Sequence, residues 1–184
     1  MTSASSREID TREFRNCCGR FATGITVVTT EVEGTTHGMT ANGFMSVSLQ
    51  PPLILVSVGN QARMHTLLPQ SQRYGVSVLS EAQLPFSNHF AGRPDDTLEI
   101  PFIRAHDMPL LDGAVAHLVA RVVDAHAAGD HTLYIGQVEY LKWEDGRPLL
   151  YYAGAYNHLK ADPQPIHMTW HDNELFFFPV PGTT

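Results

Sequence analysis

Residues 114–143, "AVAHLVARVVDAHAAGDHTLYIGQVEYLKW", constrain this chain more than any other stretch. Two long runs containing β-branched and aromatic residues flank Ala128–Gly129–Asp130. A tight Gly-containing turn between such runs predicts a pair of long antiparallel strands. Shorter segments around this hairpin then have a sheet to join. "GITVVTTEV" is β-branched throughout and "EGTTHG" turns it back, so residues 24–42 read as a second hairpin. Pro51 and Pro52 punctuate the chain before "LILVSV", which reads as a buried strand. "RYGVSVLS" is another strand, "PLLYYAGAYNHL" adds a strand and a loop, and "HMTWHDNELFFFPV" ends in an aromatic strand.

Three helices fit around these strands. "TREFRNCCGRF" carries Thr11 as a cap and ends near Gly19; "ARMHTLLPQS" is short; "SEAQLPFSNHFAG" has Ser80 as N-cap and Pro85 in its first turn. Residues 92–112, rich in Pro and Asp, read as one long irregular loop. Strands do not alternate regularly with helices, so a doubly wound α/β fold fits badly. The pattern predicts a mainly β fold, a closed or partly closed antiparallel barrel with a few peripheral helices. Residues 1–10 are polar and read as a disordered terminus, and 11–184 as a single domain without repeat or linker.

Composition excludes several functions. The 184 residues carry a formal net charge of −7 and no Lys/Arg run, which argues against nucleic acid. No signal peptide or membrane-spanning run is visible, and adjacent Cys17 and Cys18 read as thiols, so a soluble cytoplasmic protein is expected. Both cysteines fall on an amphipathic helix, where core packing is the commoner role. Ten histidines form no metal motif; His167 and His171 are four apart, but among Pro163, Pro165, Asp172 and Asn173. No metal is expected. Nucleophile elbow, P-loop and dinucleotide fingerprint are all missing.

The remaining signal is "HGMTANGFMSVSLQPPLILVSV", residues 37–58. Gly38, Thr40, Ala41, Asn42, Gly43, Ser46 and Ser48 leave backbone N–H groups unshielded and add hydroxyls and an amide. A flat heteroaromatic ring such as isoalloxazine, or a phosphate, suits such a surface. A plain Ser/Thr-rich strand edge is the other reading.

"FATGITVVTT", "HGMTANGFMSVSLQPPLILVSV", "YGVSVLSEAQLPFSNHFAGR" and "GDHTLYIGQV" occur in this order and spacing. The series, over roughly residues 12–160, resembles the small flavin reductases that serve two-component flavin-dependent monooxygenases. The resemblance implies a Greek-key-like split barrel, a homodimer with flavin near the subunit interface, and reduction of FMN or FAD by NADH or NADPH. It also implies a separate monooxygenase that receives the reduced flavin. A non-catalytic flavin-binding or electron-carrier protein is the alternative, and an oligomeric barrel with a vestigial site a third.

Carried over by residue, the resemblance puts Thr40, Ala41 and Asn42 beside the flavin edge. Ser46, Val47 and Ser48 line the ring or ribityl chain, and Ser57 lies under the ring through its backbone. Asn60, Arg63 and Met64 of "NQARMH" correspond to a phosphate loop, Arg63 otherwise being a solvated charge. Phe90 lies near the flavin or in the core. Gly129, Asp130 and His131 form the nicotinamide side, with His131 as the catalytic candidate unless it simply begins the next strand. Tyr156 faces the same side, or is a core or rim residue. Gly43 and Met45 stand where the family commonly carries hydroxyl residues, and Ala62 and Met64 where a small hydroxyl pair is common. Each missing charge-assisted bond costs about 1.5–3 kcal/mol if unreplaced, which suits flavin as a diffusing substrate, or a different ligand.

Overall fold

The computed structural model describes residues 8–160. The expected aromatic strand, His167, His171 and the first seven residues lie outside the described residues. Helix α1 (Thr11–Cys18) leads into β1 (Thr23–Gly24), β2 (Thr26–Val32), β3 (Thr35–Ala41), β4 (Phe44–Leu49) and β5 (Pro52–Gly59). Helix α2 (Arg63–Ser71), β6 (Arg73–Val78), a 3₁₀ turn (Glu81–Gln83) and α3 (Leu84–Phe90) follow. Then come β7 (Phe102–Ala105), β8 (Met108–Leu111), β9 (Ala116–Ala128), β10 (His131–Trp143), β11 (Leu150–Tyr152) and β12 (Ala155–Asn157).

Seven strands form one antiparallel sheet in the order β3-β2-β6-β9-β10-β5-β4. Its outermost strands, β3 and β4, are separated in sequence only by Asn42 and Gly43. In a flat sheet the outer strands would stand about 29 Å apart, at roughly 4.8 Å per strand. Three Cα steps cover at most about 11 Å. The sheet therefore rolls up until its edges nearly meet, without pairing to each other. This is the split barrel, mainly β with peripheral helices.

Six strands of the roll turn one face inward. Val28, Ala41, Ile54, Val56, Val58, Tyr74, Val76, Ala120 and Tyr134 form its core, and Met64 and Leu68 of α2 plug it. On β2 the next residue faces the other way, so Val27 joins Ile25, Leu79, Leu111 and Leu149 in a second cluster. That second cluster is covered by Phe86 and Phe90 of α3 and by Tyr151 and Tyr156.

Several expectations change. The cap of α1 is Asp10, whose carboxylate accepts from the Arg12 and Glu13 N–H groups, because its extended backbone aims the side chain at the first turn. Helix α1 buries no residue, so Cys17 and Cys18 are exposed thiols rather than core groups. "LILVSV" buries only alternate residues, since β5 has a single face toward the roll. The region read as a loop, 92–112, contains the β7–β8 hairpin, and residues 148–159 contain a second hairpin, β11–β12. Ser80 does cap, its N–H donating to Gln83 Oε1, though it opens the 3₁₀ turn ahead of α3. Among the described residues no helix is long and apolar enough to cross a membrane.

Candidate active site

The two edges of the rolled sheet meet at Asn42–Gly43, so the suspected ring-binding stretch occupies the seam. Thr40 is fastened there: its hydroxyl donates to the Ser87 carbonyl of α3 at 2.7 Å. Ala41 is buried, and its carbonyl accepts from the Thr26 hydroxyl at 2.8 Å. Asn42 is exposed and its amide has no hydrogen-bond partner among the described residues. It borders a cleft of about 660 Å³ beneath α1 and a smaller one of about 350 Å³ lined by Phe21, Thr26, Phe44 and Val78. The Gly43 carbonyl accepts from the Ser57 N–H at 2.8 Å, and a Cβ on Gly43 would sit 3.0 Å from that of Ser57. The serine at this position in the resembling family therefore has no ready room here. Ser57 spends its N–H on the seam.

Ser46 and Ser48 flank an irregularity: Ser46 pairs with Ile54 and Ser48 with Leu53, leaving Val47 as the extra residue. Such a bulge re-aims side chains, and neither serine hydroxyl is engaged among the described residues.

The expected phosphate loop divides. Arg63 opens α2, is exposed, and has no carboxylate partner among the described residues. Met64 is fully buried in the core, so only its backbone can meet a ligand. Asn60 is a brace: its N–H donates to the Asp130 carbonyl at 2.9 Å and its Nδ2 to the Gly129 carbonyl at 3.2 Å. Its Oδ1 accepts from the Thr132 hydroxyl at 2.9 Å, and His65 Nε2 lies 3.1 Å from that hydroxyl.

The structure thus brings the expected phosphate loop to the β9–β10 turn. Gly129 takes the left-handed conformation there, φ +65°, which a side chain would strain. Asp130 follows, and its carboxylate lies 2.8 Å from His131 Nδ1. The bond to His131, then its charge, hold the Asp130 carboxyl below its ordinary value, with a smaller contribution from Arg15. A proton on Nδ1 donated to Asp130 leaves Nε2 facing outward, beside Gly59.

Tyr156 belongs to another network. Its hydroxyl pairs with Ser87 Oγ at 2.9 Å, beside the Thr40–Ser87 bond, and its ring meets Tyr151 edge-on. No described contact joins it to His131. Phe90 lies across Gly38 of β3, where a Cβ would fall 2.5 Å from the Phe90 ring.

Three contributors were not singled out from sequence: Ser87, Thr132 and His37. Ser87 is a fully buried polar residue inside "PFSNHF", and Thr132 follows the Gly-Asp-His turn. His37 begins the small-residue stretch; burial first, and the Arg63 charge second, keep it below its ordinary value. The Asn42 amide, the Ser46 and Ser48 hydroxyls and the Arg63 guanidinium have no hydrogen-bond or ion-pair partner among the described residues, and their chemistry suits the edge and phosphate of a flavin. No cluster of three or more His, Cys, Asp or Glu is placed to hold a metal among the described residues.

Comparison with known proteins identifies the family. Residues 18–160 match the model of the flavin reductase like domain family. An NADH-dependent flavin reductase from a Rhodococcus species is 46% identical over 156 residues, covering 83% of this chain and 89% of that protein. The reductase component of a 4-hydroxyphenylacetate 3-monooxygenase from Thermus thermophilus is 37% identical over 147 residues, covering 79% and 95%. The solved structure of flavin reductase PheA2 in its native state superposes with a TM-score of 0.81 at 45% identity, covering 83% of this chain and all of that one.

Proposed function

This chain belongs to the flavin reductase like domain family, and from that premise we propose that it is an NADH-dependent flavin reductase. It passes hydride from reduced nicotinamide to FMN or FAD and hands the reduced flavin to a separate monooxygenase. The observation that carries this reading is the Asn60 brace, which ties the phosphate loop to the Gly129–Asp130–His131 turn. One residue sets the spacing of the two regions that would hold the two reactants.

When both are bound, the nicotinamide and flavin supply the redox chemistry themselves, hydride moving from C4 of one to N5 of the other. The chain supplies position and field. Asn42, Ser46 and Ser48 hold the ring edge, and the backbone of Ala41 and Ser57 keeps the seam narrow. Arg63 and the Met64 N–H meet the phosphate, Val47 and Phe90 give apolar contact, and Thr40 anchors α3. His131, oriented by Asp130, offsets the negative charge that develops as hydride arrives. Tyr156 steadies the α3 wall through Ser87.

With Gly43 and Met45 in place of hydroxyl residues, flavin is held loosely and acts as a diffusing substrate. A homodimer is supported by exposed Leu49, Leu141 and Trp143, which the strand registers place toward one end of the sheet. The exposed thiols Cys17 and Cys18 suit a reducing cytoplasm.

The test is steady-state oxidation of NADH and NADPH with FMN, FAD or no added flavin. Saturable NADH oxidation that requires added flavin is expected. Tight flavin retention with negligible oxidation would replace this reading with a carrier protein.

A further inference from the structure

The 660 Å³ cleft beneath α1 is of a size that takes small molecules, and its lining is chemically one-sided. Arg15 and Arg20 reach it together with Phe14, Phe21, Asn42 and Tyr151. Among the described residues no Asp or Glu lines it, although the chain holds 19 acidic residues against 12 Lys and Arg. Neither guanidinium makes a hydrogen bond or ion pair among the described residues. Phe14 and Phe21 are 59% and 79% exposed.

Local structure places these groups. Asp10 starts α1, and after Cys18 the chain closes with the Arg20 and Phe21 N–H groups donating to the Cys17 and Cys18 carbonyls. The Ala153 N–H donates to the Gly19 carbonyl at 2.8 Å and pins this exit to the β11–β12 turn. Asn42 forms the wall toward the seam. Arg15 lies near enough to the β9–β10 turn to help hold the Asp130 carboxyl low. The cleft therefore borders the seam at Asn42, and one of its two arginines is close enough to the β9–β10 turn to act on its charge.

We propose that this cleft binds an adenosine diphosphate unit, the part common to NADH and FAD, with Arg15 and Arg20 on the pyrophosphate and Phe14 and Phe21 against the adenine. Two guanidiniums without counter-ions among the described residues gain most from a doubly charged ligand that each can grip through paired N–H donors. The inference rests on the reductase reading for its ligand class, and on the cleft alone for its location.

The experiment uses ADP-ribose as probe with FMN as acceptor. ADP-ribose is expected to inhibit NADH oxidation competitively. In R15Q/R20Q both its inhibition constant and the KM for NADH should rise about tenfold or more, equivalent to at least about 1.4 kcal/mol. The KM for FMN and turnover at saturating NADH should stay unchanged. R15K/R20K, which keeps the charges, should recover part of the loss and shows that the fold tolerates these positions. Inhibition competitive with FAD instead, together with lost preference for FAD over FMN, would assign the unit to the flavin. If the chain proves not to be a reductase, calorimetric binding of ADP-ribose by wild type and not by R15Q/R20Q would still support the cleft. Unchanged ADP-ribose affinity in R15Q/R20Q would overturn it.

Discussion

Thr132 and Asn60 are joined across the mouth of the β9–β10 hairpin, the hydroxyl of one donating to Oδ1 of the other at 2.9 Å. With the Nδ2 bond to the Gly129 carbonyl, this makes Asn60 the side chain that fixes the turn. Asn60→Ala removes both bonds. The expected cost is about 1–3 kcal/mol of stability, at roughly 0.5–1.5 kcal/mol per bond. Thr132→Val removes one of these and the His65 contact to the same hydroxyl, and should cost about as much. Urea unfolding measures both, and turnover should fall further in Asn60→Ala than in Thr132→Val. Wild-type turnover in both would show that the turn does not depend on the brace.

His131→Ala should lower turnover about ten- to a hundredfold, as expected for losing roughly 1.4–2.7 kcal/mol of transition-state stabilisation. Asp130→Asn should have a smaller effect, because its amide oxygen still accepts from Nδ1–H and loses only the charge. Stopped-flow flavin reduction separates this step from binding. An unchanged reduction rate in His131→Ala would leave the imidazole as a turn residue.

Gly38 lies directly under Phe90. Gly38→Ala puts a methyl group 2.5 Å from the ring, so Phe90 must move. Overpacking of this kind costs about 1–3 kcal/mol. Flavin affinity, read by quenching of flavin fluorescence, should fall with it. Lost stability with intact affinity would place Phe90 in the core alone.

His37 sets a pH dependence. Burial first, and the Arg63 charge second, keep its folded-state value below 6.5. The unfolded chain then takes up a proton that the folded chain refuses. Stability is full above about pH 6.5 and declines as pH falls toward the folded-state value, with no further loss from this group below it. His37→Gln should flatten that decline. Urea midpoints at pH 7.5 and 5.5 test it, and an undiminished difference between them in the variant would assign the slope to other groups.

The long hairpins were legible because their signals are local: β-branched runs, period-two burial and a Gly-containing turn. The β7–β8 hairpin was not. Its turn uses His106 and Asp107 at φ +48° and +60°, without glycine, and Pro and Asp dominate its surroundings. The burial of Met108–Leu111 comes from packing on β2 and β6, which no local pattern announces. The cysteines misled for a related reason, since a helical pattern says which residues share a face and not whether anything covers it. At the candidate site, small residues around Asn42 mark a place where backbone is accessible. The positions of Ser87 and Thr132 were hidden because their partners Thr40 and Asn60 are 47 and 72 residues away. Asn60 was legible as important and illegible as a brace.

The open seam has a consequence for solubility. Among the described residues, strands β3 and β4 each leave one side of their backbone without a neighbouring strand, and such a side can recruit a foreign strand into an aggregate. The same exposed polar groups are those offered to a flat ligand. Filling the seam would withdraw them from both uses, so a chain starved of ligand should become the stickier one, at concentrations where the occupied form stays dispersed.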